Sequence, residues 1–171
     1  KRHPGDWFAD FQLSGGVILD MLAHHLDLLN WGFGAPDHVY CEGLLMDPAL
    51  PEPNDYASAT LVYKNGVICN LLCGWQRFGR SANCYEIYGD NGSLTCTWGA
   101  KHLVYYPKNG EKQELAYEAT DESPYATEIK SWVARIAAGA PPEVTLQDGV
   151  NSLRIALAMI TSSQEKRVIK L

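Results

Sequence analysis

Along the chain the apolar and polar positions change period twice. From Val17 the residues Leu19, Leu22, Ala23, Leu26, Leu29 and Trp31 recur at three- and four-residue steps, the repeat of one helix face. Ser14-Gly15-Gly16 precedes this run, and Gly32, Gly34 and Pro36 come after it, residues that start and stop helices. Asp20, His24, His25 and Asp27 fall in its middle, an unusual place for four ionisable side chains.

The period then becomes that of strands. Val39 to Leu45, Ala57 to Tyr63, Val67 to Trp75, Cys84 to Tyr88, Ser93 to Trp98, His102 to Tyr106 and Lys112 to Tyr117 are rich in Val, Ile, Tyr and Thr. Lys64-Asn65-Gly66, Gly89-Asp90-Asn91-Gly92 and Pro107-Lys108-Asn109-Gly110 separate several of them with residues that tolerate positive φ, which predicts hairpins and a mostly antiparallel sheet. The 47–54 stretch, with three prolines, is the expected mobile loop. After Thr120 the helical repeat returns. Ser123-Pro124 opens a segment with the stripe Ile129, Trp132, Val133, Ile136 and Ala137, closed by Gly139 and Pro141-Pro142. A second helix begins at Thr145 or Gln147 and carries Val150, Leu153, Ile155, Ala156, Leu157, Met159 and Ile160, before a last strand from Val168 to Leu171.

This order predicts an α+β fold in one domain spanning 1–171, a large, mostly antiparallel β-sheet with helices packed on one face. Tyr, Trp and Cys alternate along Asn83 to Tyr88 and Leu94 to Trp98, so the open face is expected to pair with a second copy of the chain.

With 171 residues, 46% of them hydrophobic and 20% charged, the chain can build one sizeable core without a disulfide or metal staple. A formal charge of -6 argues against nucleic acid as a partner. Apolar runs such as Val17 to Leu22 are broken by Asp20 and His24-His25, which argues against a membrane crossing. The five cysteines (Cys41, Cys69, Cys73, Cys84, Cys96) form no Cys-x-x-Cys pair and read as reduced, buried residues of a cytoplasmic protein.

Asp20 and His24, four apart on a helix, share one face, where a carboxylate can orient an imidazole for acid-base work. A buried histidine satisfied by Asp20 or a backbone carbonyl has the same spacing. Asp20, His24 and Asp27 could offer three ligands to a divalent ion, but a fourth is missing and His25 points about 100° away, so no metal site is expected. No Gly-x-Ser-x-Gly elbow and no Gly-x-Gly-x-x-Gly loop occurs.

The segment from Ser14 to Gly34, containing Gly15-Gly16, Asp20, His24, Asp27 and Trp31, resembles the G-G-x(3)-D-x(3)-H-x-x-D-x(3)-W motif of the Gfo/Idh/MocA dehydrogenases, the family of glucose-fructose oxidoreductase and inositol dehydrogenase. Asp55 to Thr60 with Leu61 to Gly66 resembles that family's D-x-A-x-A-x-L-x-F-x-N-G strand pair, Ile87 to Leu94 its I-x-G-x-x-G-S/A-L hairpin, and Asp148 to Ala158 with Ser162-Ser163 its closing helix.

The resemblance covers nearly the whole chain and implies the C-terminal half of such an enzyme, a domain like the C-terminal domain of glyceraldehyde-3-phosphate dehydrogenase that forms a homo-dimer or homo-tetramer. An N-terminal Rossmann domain that binds NAD or NADP, with its Glu-Lys-Pro lysine, is then expected to be absent from this chain, which alone would be inactive. Carried over by position, His24 exchanges a proton with the hydroxyl of a sugar, inositol or related polyol, and Asp20 is its paired carboxylate. Tyr125, Trp75 and Arg77 fall where relatives contact substrate. Asp27 is expected to make a structural hydrogen bond. A non-catalytic module that oligomerises or binds a small polar ligand is the alternative, to be separated by whether the upstream chain carries a Gly-x-Gly-x-x-Gly loop and the lysine.

Overall fold

Two consecutive glycines set the direction of the helix that bears the candidate residues. In the computed structural model, which describes residues 5–50, 54–75, 84–97, 102–116 and 122–171, a 3-10 turn (Trp7–Ala9) leads into the short helix α1 (Phe11–Ser14). The Asp10 carboxylate starts α1 by accepting the Gln12 N–H at 2.8 Å. Gly15 and Gly16, both at φ 72°, then redirect the chain. A Cβ on Gly15 would lie 2.1 Å from Leu19 Cδ1. The next helix begins with a π turn (Ile18–Leu22) and continues as α2 (Ala23–Phe33), which Gly34 ends at φ 78° with its N–H on the Asn30 carbonyl. The sequence repeat predicts one regular helix here. A single inserted residue leaves the apolar spacing readable while rotating the residues beyond it by about 100°. Val17, Ile18, Leu22, Leu26 and Leu29 are buried, whereas Trp31 is 87% exposed. Five positions beyond Leu26, Trp31 lies about 140° around the helix from the core face, so it does not belong to the apolar stripe.

The chain continues through β1 (His38–Leu44), β2 (Tyr56–Val62), β3 (Ile68–Gly74), β4 (Cys84–Gly89), β5 (Gly92–Thr97), β6 (His102–Pro107), β7 (Gln113–Ala116), α3 (Pro124–Ala137), α4 (Leu146–Glu165) and β8 (Ile169–Lys170). Among the described residues the strands form two antiparallel four-stranded sheets, ordered β3-β2-β1-β8 and β4-β5-β6-β7. The expected α+β class and antiparallel pairing are both present. The chain divides into two compact units, Lys1–Arg77 with Glu143–Leu171, and Phe78–Pro142.

In the first unit the register pairs Cys41 with Ala59, Ala57 with Cys73 and Leu61 with Cys69, which puts these side chains on one sheet face by the two-residue alternation of strands. That face joins Leu22 and Leu26 from the long helix and Ile155, Ala156 and Met159 from α4 in one core. Tyr40, Ile68 and Leu72 remain exposed. Cys41 and Cys73 are buried and Cys69 is half-buried, whereas Cys84 in the second unit is exposed, so the expectation of five buried cysteines fails there. Burial pushes the Cys41 thiol up to about 12, which keeps it protonated. Of the two candidate starts for α4, Thr145 is the cap: its hydroxyl accepts the Asp148 N–H at 3.3 Å and the Asp148 carboxylate accepts the Thr145 N–H at 2.7 Å.

In the second unit Asp90-Asn91 forms the tight turn between the paired Gly89 and Gly92. Gly92 has φ 144°, and a Cβ there would meet the Tyr106 carbonyl oxygen at 2.2 Å. The helix α3 starts after Ser123 with Pro124 in its first turn and ends before Gly139 at φ 62°, as its sequence punctuation predicts. No residue of α3 is buried, and Ile129, Trp132, Val133 and Ile136 are exposed. Tyr85, Ile87, Leu94, Leu103, Tyr105 and Leu115 share one face of the second sheet by register, and each is half-buried or exposed. Trp98 and Tyr117, the expected strand ends, lie outside the described residues, as do residues 51–53 of the expected mobile loop. Among the described residues no helix is long and apolar enough to cross a membrane.

Candidate functional site

Residues 54 and 55, between β1 and β2, tie together the segments that carry the candidate side chains. Asp55 is 1% exposed, and its two carboxylate oxygens accept the N–H groups of Met46 at 2.6 Å and Asp47 at 3.0 Å. Its own N–H bonds the Leu44 carbonyl at 3.1 Å, and its carbonyl accepts the Trp75 N–H at 2.8 Å. The Asn54 carbonyl accepts the Val17 N–H, just before the π turn, at 3.5 Å. The end of β3 and the start of the long helix are therefore positioned from one dipeptide.

Asp20 lies in the π turn, half-buried, and its Oδ2 accepts the indole N–H of Trp75 at 2.9 Å. His24 comes next, in the first turn of α2, with its side chain exposed between the buried Leu22 and Leu26. A histidine taken up by core packing would be buried, and this one is not. Asp27 accepts the Ser152 hydroxyl at 3.1 Å, and Asn30 Nδ2 donates to the same hydroxyl at 3.3 Å. These bonds fasten α2 to α4, the structural role expected of Asp27. Among the described residues no group of three or more His, Cys, Asp or Glu could hold a metal ion.

Asp20, His24 and Trp75 belong to the first unit, and Asp20 and Trp75 touch. Tyr125 opens α3 in the second unit and is 76% exposed. Arg77 lies outside the described residues. Sequence reading missed the bracing by Asn54 and Asp55 and the π turn; the only signal for the first was an isolated Asp55 at the head of an alternating strand. Among the described residues no strand runs through a glycine-rich loop into a helix, so none is assigned to hold a nicotinamide nucleotide.

Known proteins resemble this chain in sequence and in fold. A family model described as the GFO/IDH/MocA C-terminal domain matches residues 1–95. The chain is 24% identical to the myo-inositol 2-dehydrogenase of Thermotoga maritima over 94% of its own length and 50% of the relative's. It is 26% identical to the NADP(+)-dependent scyllo-inositol 2-dehydrogenase IolW of Bacillus subtilis over 91% of its own length and 49% of the relative's. The chain thus spans about half the length of the curated relatives it matches. A levoglucosan dehydrogenase solved in complex with NADH shares the fold with a TM-score of 0.87 at 16% identity, covering 98% of this chain and 53% of that one.

Proposed function

The chain belongs to the GFO/IDH/MocA C-terminal domain family, and from that premise we propose that it is the substrate-side domain of an NAD(P)-dependent oxidoreductase acting on a sugar, inositol or related polyol, with His24 and Asp20 as the proton-transfer pair. The observation that carries this reading is the exposed imidazole of His24, four positions after the half-buried Asp20, on a helix whose Leu22, Leu26 and Leu29 are buried. The two curated relatives named above are inositol 2-dehydrogenases, one of them named for NADP(+), and the levoglucosan dehydrogenase was solved with NADH, which supports the same reaction class.

Oxidising an alcohol removes a hydride from the carbinol carbon and a proton from its oxygen. A nicotinamide nucleotide, when bound, supplies the hydride acceptor. This chain supplies the proton side. As the C–H bond breaks, the substrate O–H bond breaks with it, the proton passes to the imidazole of His24, and the oxygen's electrons close the new carbonyl. The Asp20 carboxylate, four positions earlier in the π turn, is the anionic partner of this imidazole in the proposed reaction. In the full-length protein His24→Ala should lower kcat about 10²-fold while nucleotide binding persists. Undiminished turnover would overturn the assignment.

The partly exposed apolar face of the second sheet, with Ile87 and Leu115 exposed on it, supports self-association of this domain into a dimer or tetramer. Sedimentation should show it, and a strictly monomeric protein would remove it. The same surface favours a second reading, a non-catalytic oligomerisation or ligand-binding module. That reading requires tight self-association with no dehydrogenase activity in the full-length protein.

A further inference from the structure

We infer that Trp75 is a positioning residue for this reaction, its indole N–H fixing the carboxylate of Asp20 across the gap between β3 and the π turn; the inference rests on the dehydrogenase reading above. Three observations carry it. The π turn places Asp20, at its centre, within 2.9 Å of the Trp75 Nε1. An α-helical turn at this point would carry one residue fewer, rotating His24 and the rest of α2 by about 100° relative to the segment before the turn.

Both partners are also held from the same place. The Trp75 N–H bonds the Asp55 carbonyl at 2.8 Å, and Val17, leading into the π turn, bonds the neighbouring Asn54 carbonyl. Asp55 is itself buried and accepts two backbone N–H groups, so the dipeptide is a firm reference for the distance between indole and carboxylate. The third observation is chemical. An indole nitrogen donates and cannot accept, so this bond orients Asp20 without competing for the proton that His24 moves. The indole N–H of Trp75, the one polar group of its side chain, donates to Asp20.

The test uses the full-length protein with the variants Trp75→Phe, Asp20→Asn, their combination, and His24→Ala. Trp75→Phe should lower kcat about tenfold with little change in KM, the size expected for one lost hydrogen bond to a charged group. In the Asp20→Asn background the same substitution should lower kcat no further, because the group it positions is already altered. Trp75→His, which keeps a ring N–H, should recover part of the loss. Independently of turnover, the Trp75 indole proton resonance should move in Asp20→Asn.

A raised KM with unchanged kcat would make Trp75 a substrate contact and overturn the inference. Additive losses would reduce it to general packing, and an unmoved indole resonance would remove the bond itself. If His24→Ala is inactive while Trp75→Phe is fully active, the inference falls and the dehydrogenase reading stands. If His24→Ala is fully active, both fall.

Discussion

The Ser162 hydroxyl accepts the Cys41 backbone N–H at 2.9 Å and donates to the Arg167 carbonyl at 2.6 Å, with Ser162 fully buried. One side chain thereby ties β1 to the segment that follows α4. The strand β8 pairs with β1 only at His38 and Val39, so further along that edge the N–H groups need another acceptor. Ser162 supplies it for Cys41 and Ser163 for Gly43, at 3.0 Å. The helix end stands in for the missing part of a strand.

Ser162→Ala should therefore destabilise the protein by about 1–3 kcal/mol, the cost of leaving a buried N–H unpaired. Urea unfolding of the variant checks it. An unchanged midpoint would show that another acceptor replaces the hydroxyl.

Replacing Asp55 by Asn should be costly although the two side chains have nearly the same shape. Both carboxylate oxygens accept N–H groups, and the amide would turn one acceptor into a donor facing the Met46 or Asp47 N–H. A loss of about 2 kcal/mol is expected by urea unfolding. Because Asp55 also holds Trp75, the Trp75 indole resonance should broaden or shift in the same variant.

Tyr63 is 3% exposed, and among the described residues its hydroxyl has no hydrogen-bond partner. Tyr63→Phe, which removes that hydroxyl and keeps the edge contact with the Phe33 ring, should be neutral or stabilising. Burial, with a smaller contribution from Cys69, pushes the phenol up to about 12. The neutral phenol then favours the folded state fully below the ordinary value of 10.0, and this contribution is lost as pH rises towards about 12. Thermal unfolding across that alkaline window should lose less stability in Tyr63→Phe than in the unmodified protein.

At acid pH the capping box of α4 should titrate. The Thr145 hydroxyl and backbone N–H both donate to Asp148, which holds its carboxyl below the usual 3.8. A lowered value means stability present above about 3.8 and lost as pH falls through the lower folded value. Asp148→Asn should lower the unfolding midpoint at neutral pH and flatten the acid limb, the two proteins converging at strongly acid pH. Parallel acid limbs would refute the cap as the source.

Much of the fold was legible because it rests on local rules. Asn65-Gly66, Asp90-Asn91, Ser123-Pro124 and Gly139 stand where turns and helix ends were expected, since their backbone preferences act within a few residues. Trp31 was misjudged because apolar character does not tell which side of a helix meets a partner. The exposed α3 stripe was readable as a stripe, but its cover was not.

Within the candidate site the same division holds. Spacing and resemblance singled out Asp20 and His24, and nothing in the spacing of Trp75 pointed to Asp20, 55 positions away. By itself the sequence determined the three long helices, most strands and the hairpin turns, the antiparallel pairing and the family, because periodicity and capping are short-range properties of the chain and the motifs are read in order along it. Only the tertiary structure decided that a π turn carries Asp20, that Asn54 and Asp55 brace both sides of the site, and that serines of α4 complete the β1 edge. Those choices satisfy hydrogen-bonding groups that meet only after distant segments have packed.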